Sequence, residues 1–344
     1  MFGFYIVLAI FLILAILLLI FRVSRLVNVV KGSEEKVSSG SNNINAVLMI
    51  LFMVSFFGLM AWYSWTNFDA YDPPVASEHG IVTDRLFWRT MWITFIVFVL
   101  THILLFIFAF KYRYKANRRA DFFPHNNNLE IIWTVVPAIV LTWLVISGWM
   151  AWSDITKAAP DESEQIEIMG YQFAWSLRYG GMDNEVGDYD YRLIDAVNSH
   201  GQDFSDRAGF DDFQNQNLVI PKGRPVLLKI RARDVLHSVF IPHMRLKMDA
   251  VPGMPTQFWF VANKTTEEMR VEEGNPDFDY ELACTEVCGR GHFSMKKTVI
   301  VLEQAEYDKW KAEQKSWLSK NPDYMSQVPE NLKELAVVTA GINE

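Results

Sequence analysis

The chain has 344 residues, 51% of them hydrophobic and 21% charged, with a formal net charge of −8. That balance excludes the basic footprint expected of a nucleic-acid binder. The chain holds two cysteines, too few for a disulfide framework, and their CxxxC spacing excludes covalent haem attachment, which needs CxxCH.

Hydrophobic residues concentrate before position 153, where four runs approach the ~20 residues needed to cross a ~30 Å hydrocarbon core. They are Phe4 to Phe21, Ala46 to Trp65, Met91 to Phe110 and Ile131 to Trp152. Each is expected to be a helix, because lipid cannot satisfy open backbone groups. No basic residue precedes the first run and no small-x-small cleavage site follows it, so a retained helix is expected in preference to a signal peptide. Arg22, Arg25, Lys31 and Lys36 follow the first run, and Lys111, Arg113, Lys115, Arg118 and Arg119 follow the third, which predicts that both loops are cytoplasmic. The loop after the second run carries Asp69, Asp72, Glu78 and Asp84 and is expected outside, with the N terminus and everything beyond residue 152. Glu130 opens the fourth run, where a carboxylate suits the positive end of a helix.

Beyond Trp152 the composition becomes that of a water-facing domain. Short runs rich in β-branched and aromatic residues recur between turn signals: Gln165 to Met169, Tyr171 to Leu177, Leu218 to Pro221, Pro225 to Arg231, Gln257 to Val261, Tyr280 to Ala283 and Thr298 to Leu302. Many short strands and few helices predict a β-sandwich, so the whole reads as membrane-anchored α plus all-β. Residues 303–319 read as an amphipathic helix, and the polar tail from Asn321 carries no legible pattern.

The chemistry gathers in two segments. In Asp234-Val235-Leu236-His237-Ser238-Val239, a period of two puts Val235, His237 and Val239 on one face of a strand. Downstream, Cys284, Cys288, His292 and Met295 lie within twelve residues, with Glu286 between the cysteines. Two thiolates, imidazoles and a thioether form a soft donor set that favours copper. Taken as residues alone, two cysteines and two histidines also allow a closed tetrahedral zinc site, and the cysteines alone allow a disulfide.

Three runs carry a resemblance: EIIWTVVPA from Glu130 to Ala138, DVLHS followed by KMDAVPG, and CTEVCGRGHFSM from Cys284 to Met295. In order and spacing, residues 90–305 resemble subunit II of the haem–copper cytochrome c oxidases. The resemblance implies a Greek-key cupredoxin fold and a binuclear copper centre, CuA. Cys284 and Cys288 would bridge the two coppers, and His237 and His292 would be terminal ligands. Met295 would be a weak axial ligand, and Glu286 would ligate through its backbone carbonyl. The Glu286 carboxylate would bind magnesium at the contact with subunit I, a use that suits a hard oxygen donor. Glu130 would lie near the entrance of a proton path into subunit I.

The resemblance also divides the chain. Residues 67–152 match the membrane hairpin usual in that family, whereas residues 1–66 form an additional one, expected to pack against another membrane subunit or lipid. Residues 153–305 would be the outer-face copper domain and 306–344 a C-terminal helix and tail. The implied setting is a bacterial inner membrane, with the chain accepting electrons from a haem c protein and passing them to the haem–copper centre of subunit I, where dioxygen is reduced and protons are moved. A membrane-bound copper chaperone or sensor is the other reading, and the EIIWTVVPA hairpin favours the oxidase.

Two features bear on the electron donor. Residues 153–344 hold 32 acidic and 21 basic side chains, against 8 and 11 before them, so the outer part is the acidic one. Glu185, Asp188, Asp190, Asp195, Asp203, Asp206 and Asp211 concentrate that charge, either as a solvated loop or as a patch for a basic donor. In Gly170-Tyr171-Gln172-Phe173-Ala174-Trp175, the place where the family commonly has a tryptophan that receives the electron holds Phe173, while Trp175 follows. Phe173 and Trp175 are therefore the candidate points of electron arrival. The donor can be soluble or membrane-tethered.

Overall fold

A computed structural model describes residues 2–32, 39–68, 72–115 and 117–342. Lys36 and Asp69, counted above among the loop charges, lie outside the described residues. The chain divides into two compact units, Met1–Phe68 with Met91–Trp133, and Asp69–Thr90 with Thr134–Glu344.

The four apolar runs are helices, and all four are long and apolar enough to cross a membrane. They extend past the runs that announced them, over Phe2–Val30, Ser39–Thr66, Glu78–Lys111 and Asn127–Ile155. The extra turns mix apolar residues with polar ones such as Arg22, Arg25, Glu78, Asp84 and Arg85. In the first unit, Arg22 donates to Asn45 Oδ1 at 2.8 Å and Arg113 donates to Asn43 Oδ1 at 2.8 Å, which ties together the loop ends. Phe57 packs edge-on against Phe98 and His102.

The second unit contains the β-domain, built from two five-stranded sheets. The first sheet has the order β3-β2-β1-β5-β8, from Phe213–Asn215, Ala174–Tyr179, Glu164–Tyr171, Pro225–Ala232 and Thr256–Val261. The second has the order β4-β10-β9-β6-β7, from Leu218–Pro221, Lys296–Leu302, Tyr280–Cys284, His237–Ile241 and Leu246–Ala250. One parallel pair in each sheet, β1 with β5 and β10 with β4, rules out a simple meander. Ile166, Ile168, Leu228, Ile230, Val239, Ile241, Leu282 and Val299 fill the space between the sheets. They alternate along their strands, as the inner faces of a sandwich require.

Three local expectations need correction. Val235 does not share the His237 face, because β6 begins at His237 and Val235 sits in a partly exposed bend, while His237 and Val239 are both buried. The run Tyr171 to Leu177 is not one strand: Gln172 and Phe173 form a turn between β1 and β2. The helix expected over residues 303–319 ends at Ala312, and a short one resumes at Trp317–Lys320. Ser316 caps the new start by accepting from the Ser319 N–H at 3.0 Å. The tail that had no pattern forms a helix over Lys333–Thr339 and packs Val328, Ala336 and Ala340 with Trp317 and Leu318 against Phe204 and Phe210.

The acidic segment is not a free loop, although Glu185, Asp188 and Asp195 stay exposed. Asp190, Asp195, Asp203, Asp206 and Asp211 each accept from backbone N–H groups of the same segment. The segment rests on the outer face of the first sheet through a buried charge cluster. There Glu167 accepts from Arg178 Nε and lies 2.7 Å from His200 Nδ1, with Arg231 on its other oxygen.

Candidate metal centre

The donors come from two places in the second sheet. His237 opens β6, whose register pairs Val239 with Cys284 at the end of β9, so the imidazole and the first thiol lie on adjacent strands. The remaining donors lie in the loop from β9 to β10. That loop is closed by the Cys284 N–H donating to Met295 O at 3.1 Å and by Thr285 N–H donating to Ser238 O at 3.2 Å.

The geometry is a chain of donors about a Cys–Cys edge. The two sulfurs are 4.0 Å apart, too far for a disulfide, which has them near 2.05 Å. His237 Nδ1 lies 4.0 Å from Cys284 Sγ, and His292 Nδ1 lies 3.6 Å from Cys288 Sγ. Met295 Sδ is 3.3 Å from Cys288 Sγ, and the Glu286 carbonyl oxygen is 3.3 Å from Cys284 Sγ. His237, Cys284 and Cys288 form a mutually close, buried set, and His292 falls outside it, within reach of Cys288. All six residues expected as ligands therefore meet at one end of the sandwich.

Burial, and then the charge of Cys284 beside it, push the Cys288 thiol up to about 11. The Cys288 thiol therefore resists ionisation unless a cation holds its sulfur, so metal binding there would release a proton.

A second layer holds these donors, and sequence reasoning missed most of it. Asp234 Oδ1 accepts from His237 Nε2 at 2.9 Å, which turns Nδ1 toward the sulfurs. Burial works against the Asp234 carboxylate, yet the N–H of Gln172, the His237 ring and the N–H of Val235 hold its pKa below the usual range. Gln172 Nε2 donates to Cys288 O at 2.6 Å. Gly170 leaves room for the His237 ring, because a Cβ there would come within 3.0 Å of it. Only the DVLHS spacing pointed to Asp234; Gln172 and Gly170 gave no sign in one dimension.

The two aromatic candidates separate in space. Trp175 is 2% exposed, stands edge-on to the His237 ring with centroids 5.8 Å apart, and donates from Nε1 to Met295 O at 3.2 Å. Phe173 is 38% exposed and lies over the metal loop, where a Cβ at Gly291 would meet its ring at 2.5 Å. Glu130 is remote from this centre in sequence and sits in the first turn of the fourth helix, where its Oε1 accepts from the Asn126 N–H at 3.3 Å.

Fold and donors together define a class: a membrane-anchored cupredoxin-like β-sandwich with a metal centre of soft ligands. Residues 165–304 match the family described as cytochrome c oxidase subunit II, periplasmic domain, and residues 64–148 match its transmembrane domain. An alternative cytochrome c oxidase subunit 2 of Bradyrhizobium diazoefficiens is 32% identical over 79% of this chain and 93% of its own. A probable cytochrome c oxidase subunit 2 of Rickettsia felis is 30% identical over 63% of this chain, which spans 64% of that protein. The chain belongs to the cytochrome c oxidase subunit II family. It is the subunit through which electrons reach a respiratory terminal oxidase, a component of an oxidoreductase complex.

Proposed function

We propose that Cys284, Cys288, His237, His292, Met295 and the Glu286 carbonyl would together hold a two-copper centre. One observation supports this reading: His237 approaches the Cys284 sulfur and His292 the Cys288 sulfur, with His292 outside the set that His237 shares with the cysteines. A single tetrahedral zinc would draw all four strong donors into one mutually close set. Copper shared across two thiolates would supply reversible one-electron storage with little rearrangement. The chain's contribution is rigidity: Asp234 orients His237, Gln172 and Trp175 hold the carbonyls of Cys288 and Met295, and Trp175 excludes water from one side.

In this reading the chain accepts electrons from a haem c protein, soluble or membrane-tethered, and delivers them to subunit I. Phe173, exposed over the metal loop, is the outer contact for the donor, and Trp175 is the inner packing partner of His237. The Glu286 carboxylate binds magnesium at the contact with subunit I, a role that manganese substitution in Glu286→Gln would test. The loop charges support a chain seated in a bacterial inner membrane with both the N terminus and the β-domain outside, and its four long apolar helices suit that setting.

Metal analysis with electron paramagnetic resonance on the oxidised full chain tests the central claim. Two coppers per chain and one unpaired electron spread over both nuclei are expected. One localised copper, or tightly held zinc, would overturn it.

A further inference from the structure

The turn that follows the His237 strand does more than reverse the chain. Pro242, His243 and Met244 form one helical turn, and Arg245 ends it at φ 52°. That is the left-handed region, which side-chain-bearing residues rarely adopt and which glycine fills without strain. A strained non-glycine position persists where its surroundings hold it, and such positions cluster at functional points. What holds Arg245 is an array of acceptors from the outer end of the third helix and the segment before it. Its Nε and one terminal nitrogen grip Asp84 at 2.7 and 2.9 Å. The same guanidinium donates to Pro73 O at 2.7 Å and Pro242 O at 2.9 Å, and lies 3.7 Å from Asp72.

Backbone contacts run beside it. The Ala76 N–H donates to His243 O at 2.7 Å, Ser77 Oγ donates to Met244 O at 2.7 Å, and the Asn263 N–H donates to Ala76 O at 3.0 Å. Ala76 and Ser77 are fully buried, and Ala76 belongs to the sandwich core. Gly80 lets the arginine stem cross the helix, since a Cβ there would meet Val75, Ser77 and Arg245 at 2.4, 2.7 and 3.2 Å.

We infer that Arg245 and Asp84 form a latch that fixes the metal-bearing strand to the outer end of the third helix, and that this latch positions the centre for electron delivery to subunit I. The inference rests on the reading of the centre as the electron carrier. Electron transfer weakens steeply with distance and needs a fixed donor–acceptor geometry, whereas a domain docked only by a chain connection would sample many. Arg245 touches no metal ligand, so it is a positioning residue and acts on the onward step alone.

The test uses the assembled oxidase carrying Arg245→Gly or Asp84→Asn. Glycine suits the φ of position 245 and removes every guanidinium contact, whereas asparagine keeps the shape of Asp84 and removes its charge alone. Expected are an unchanged copper resonance signal, an unchanged rate of electron uptake from the donor, and a roughly tenfold slower transfer from the centre to subunit I. In steady state kcat falls while KM for the donor holds, the Ala76 amide exchanges faster with solvent, and the double variant is no slower than either single one. Wild-type onward rates in both variants would overturn the latch, and so would loss of assembly in both, which would make the pair an assembly element. A wild-type protein without the shared-copper signal would instead remove the reading of the centre itself.

Discussion

At the scale of single residues, the centre depends on side chains that bind no metal. Asp234 accepts three hydrogen bonds, from the N–H groups of Gln172 and Val235 and from the His237 ring, and so couples ligand orientation to the β1–β2 turn. Asp234→Ala is expected to lower copper affinity by about 10- to 100-fold, measured by competition with a chelator, because His237 would lose its fixed tautomer. Unchanged affinity would mean that packing under Trp175 alone orients the ring. Glu130 calls for a different experiment. Its carboxylate accepts from Asn126 N–H, and a glutamine oxygen would accept the same hydrogen, so Glu130→Gln preserves the cap. Slower oxidase turnover and proton movement with an intact copper spectrum would then report the proton path, and wild-type values would leave Glu130 as a cap.

At the scale of elements, the outer face of the first sheet and the segment over residues 183–212 are joined by buried charge. Although desolvation opposes it, the charges of Arg178 and Arg231 and the hydrogen bond from His200 hold the Glu167 carboxylate well below its usual pKa, and burial holds His200 below its own. Both shifts act in the same direction on stability. A depressed Glu167 stabilises the fold above its unfolded value of about 4.5, and the contribution fades as pH falls through the lower folded value. Below about 6.5 an unfolded His200 takes up a proton that the buried ring refuses, which also favours unfolding as pH falls. Thermal melts of the full chain should therefore show stability declining from about pH 6.5 downward. Glu167→Gln should remove about 3–5 kcal/mol at neutral pH, because it takes away the carboxylate that Arg178 and Arg231 share and leaves Arg178 only Asp212 as a carboxyl partner and Arg231 only carbonyl and ring contacts. A loss under about 1 kcal/mol would show that water reaches the two guanidinium groups.

At the scale of the whole molecule, charge is divided between the water-facing and membrane parts of the chain. Encounter with a basic donor should be steered by the acidic part, so the bimolecular rate of electron uptake should fall severalfold as ionic strength rises past the ~10 Å screening regime. A salt-independent rate would indicate a tethered donor. Because Asp190, Asp195, Asp203, Asp206 and Asp211 cap backbone groups, neutralising them should lower stability more than it changes that salt dependence.

Much of this protein is legible in one dimension because its strongest signals are local. A helix in lipid must satisfy its own backbone, so four apolar runs suffice to place four helices. The CxxxC loop carries most of the candidate donors within twelve residues, and the DVLHS run supplies His237, which the fold brings beside them. The sequence determined the membrane anchoring, the sandwich class, the donor set and the family. Tertiary structure decided what depends on residues far apart: the grip of Asp234 and Gln172 on the ligands, the burial of Trp175 against the exposure of Phe173, and the capping use of the acidic segment. The Arg245–Asp84 ion pair spans 161 residues, and the folding of the tail onto Phe204 and Phe210 spans more than a hundred. Pairings of that range arise only when the sheets and helices have brought their partners together, since no periodicity or motif records which distant residue a side chain will meet.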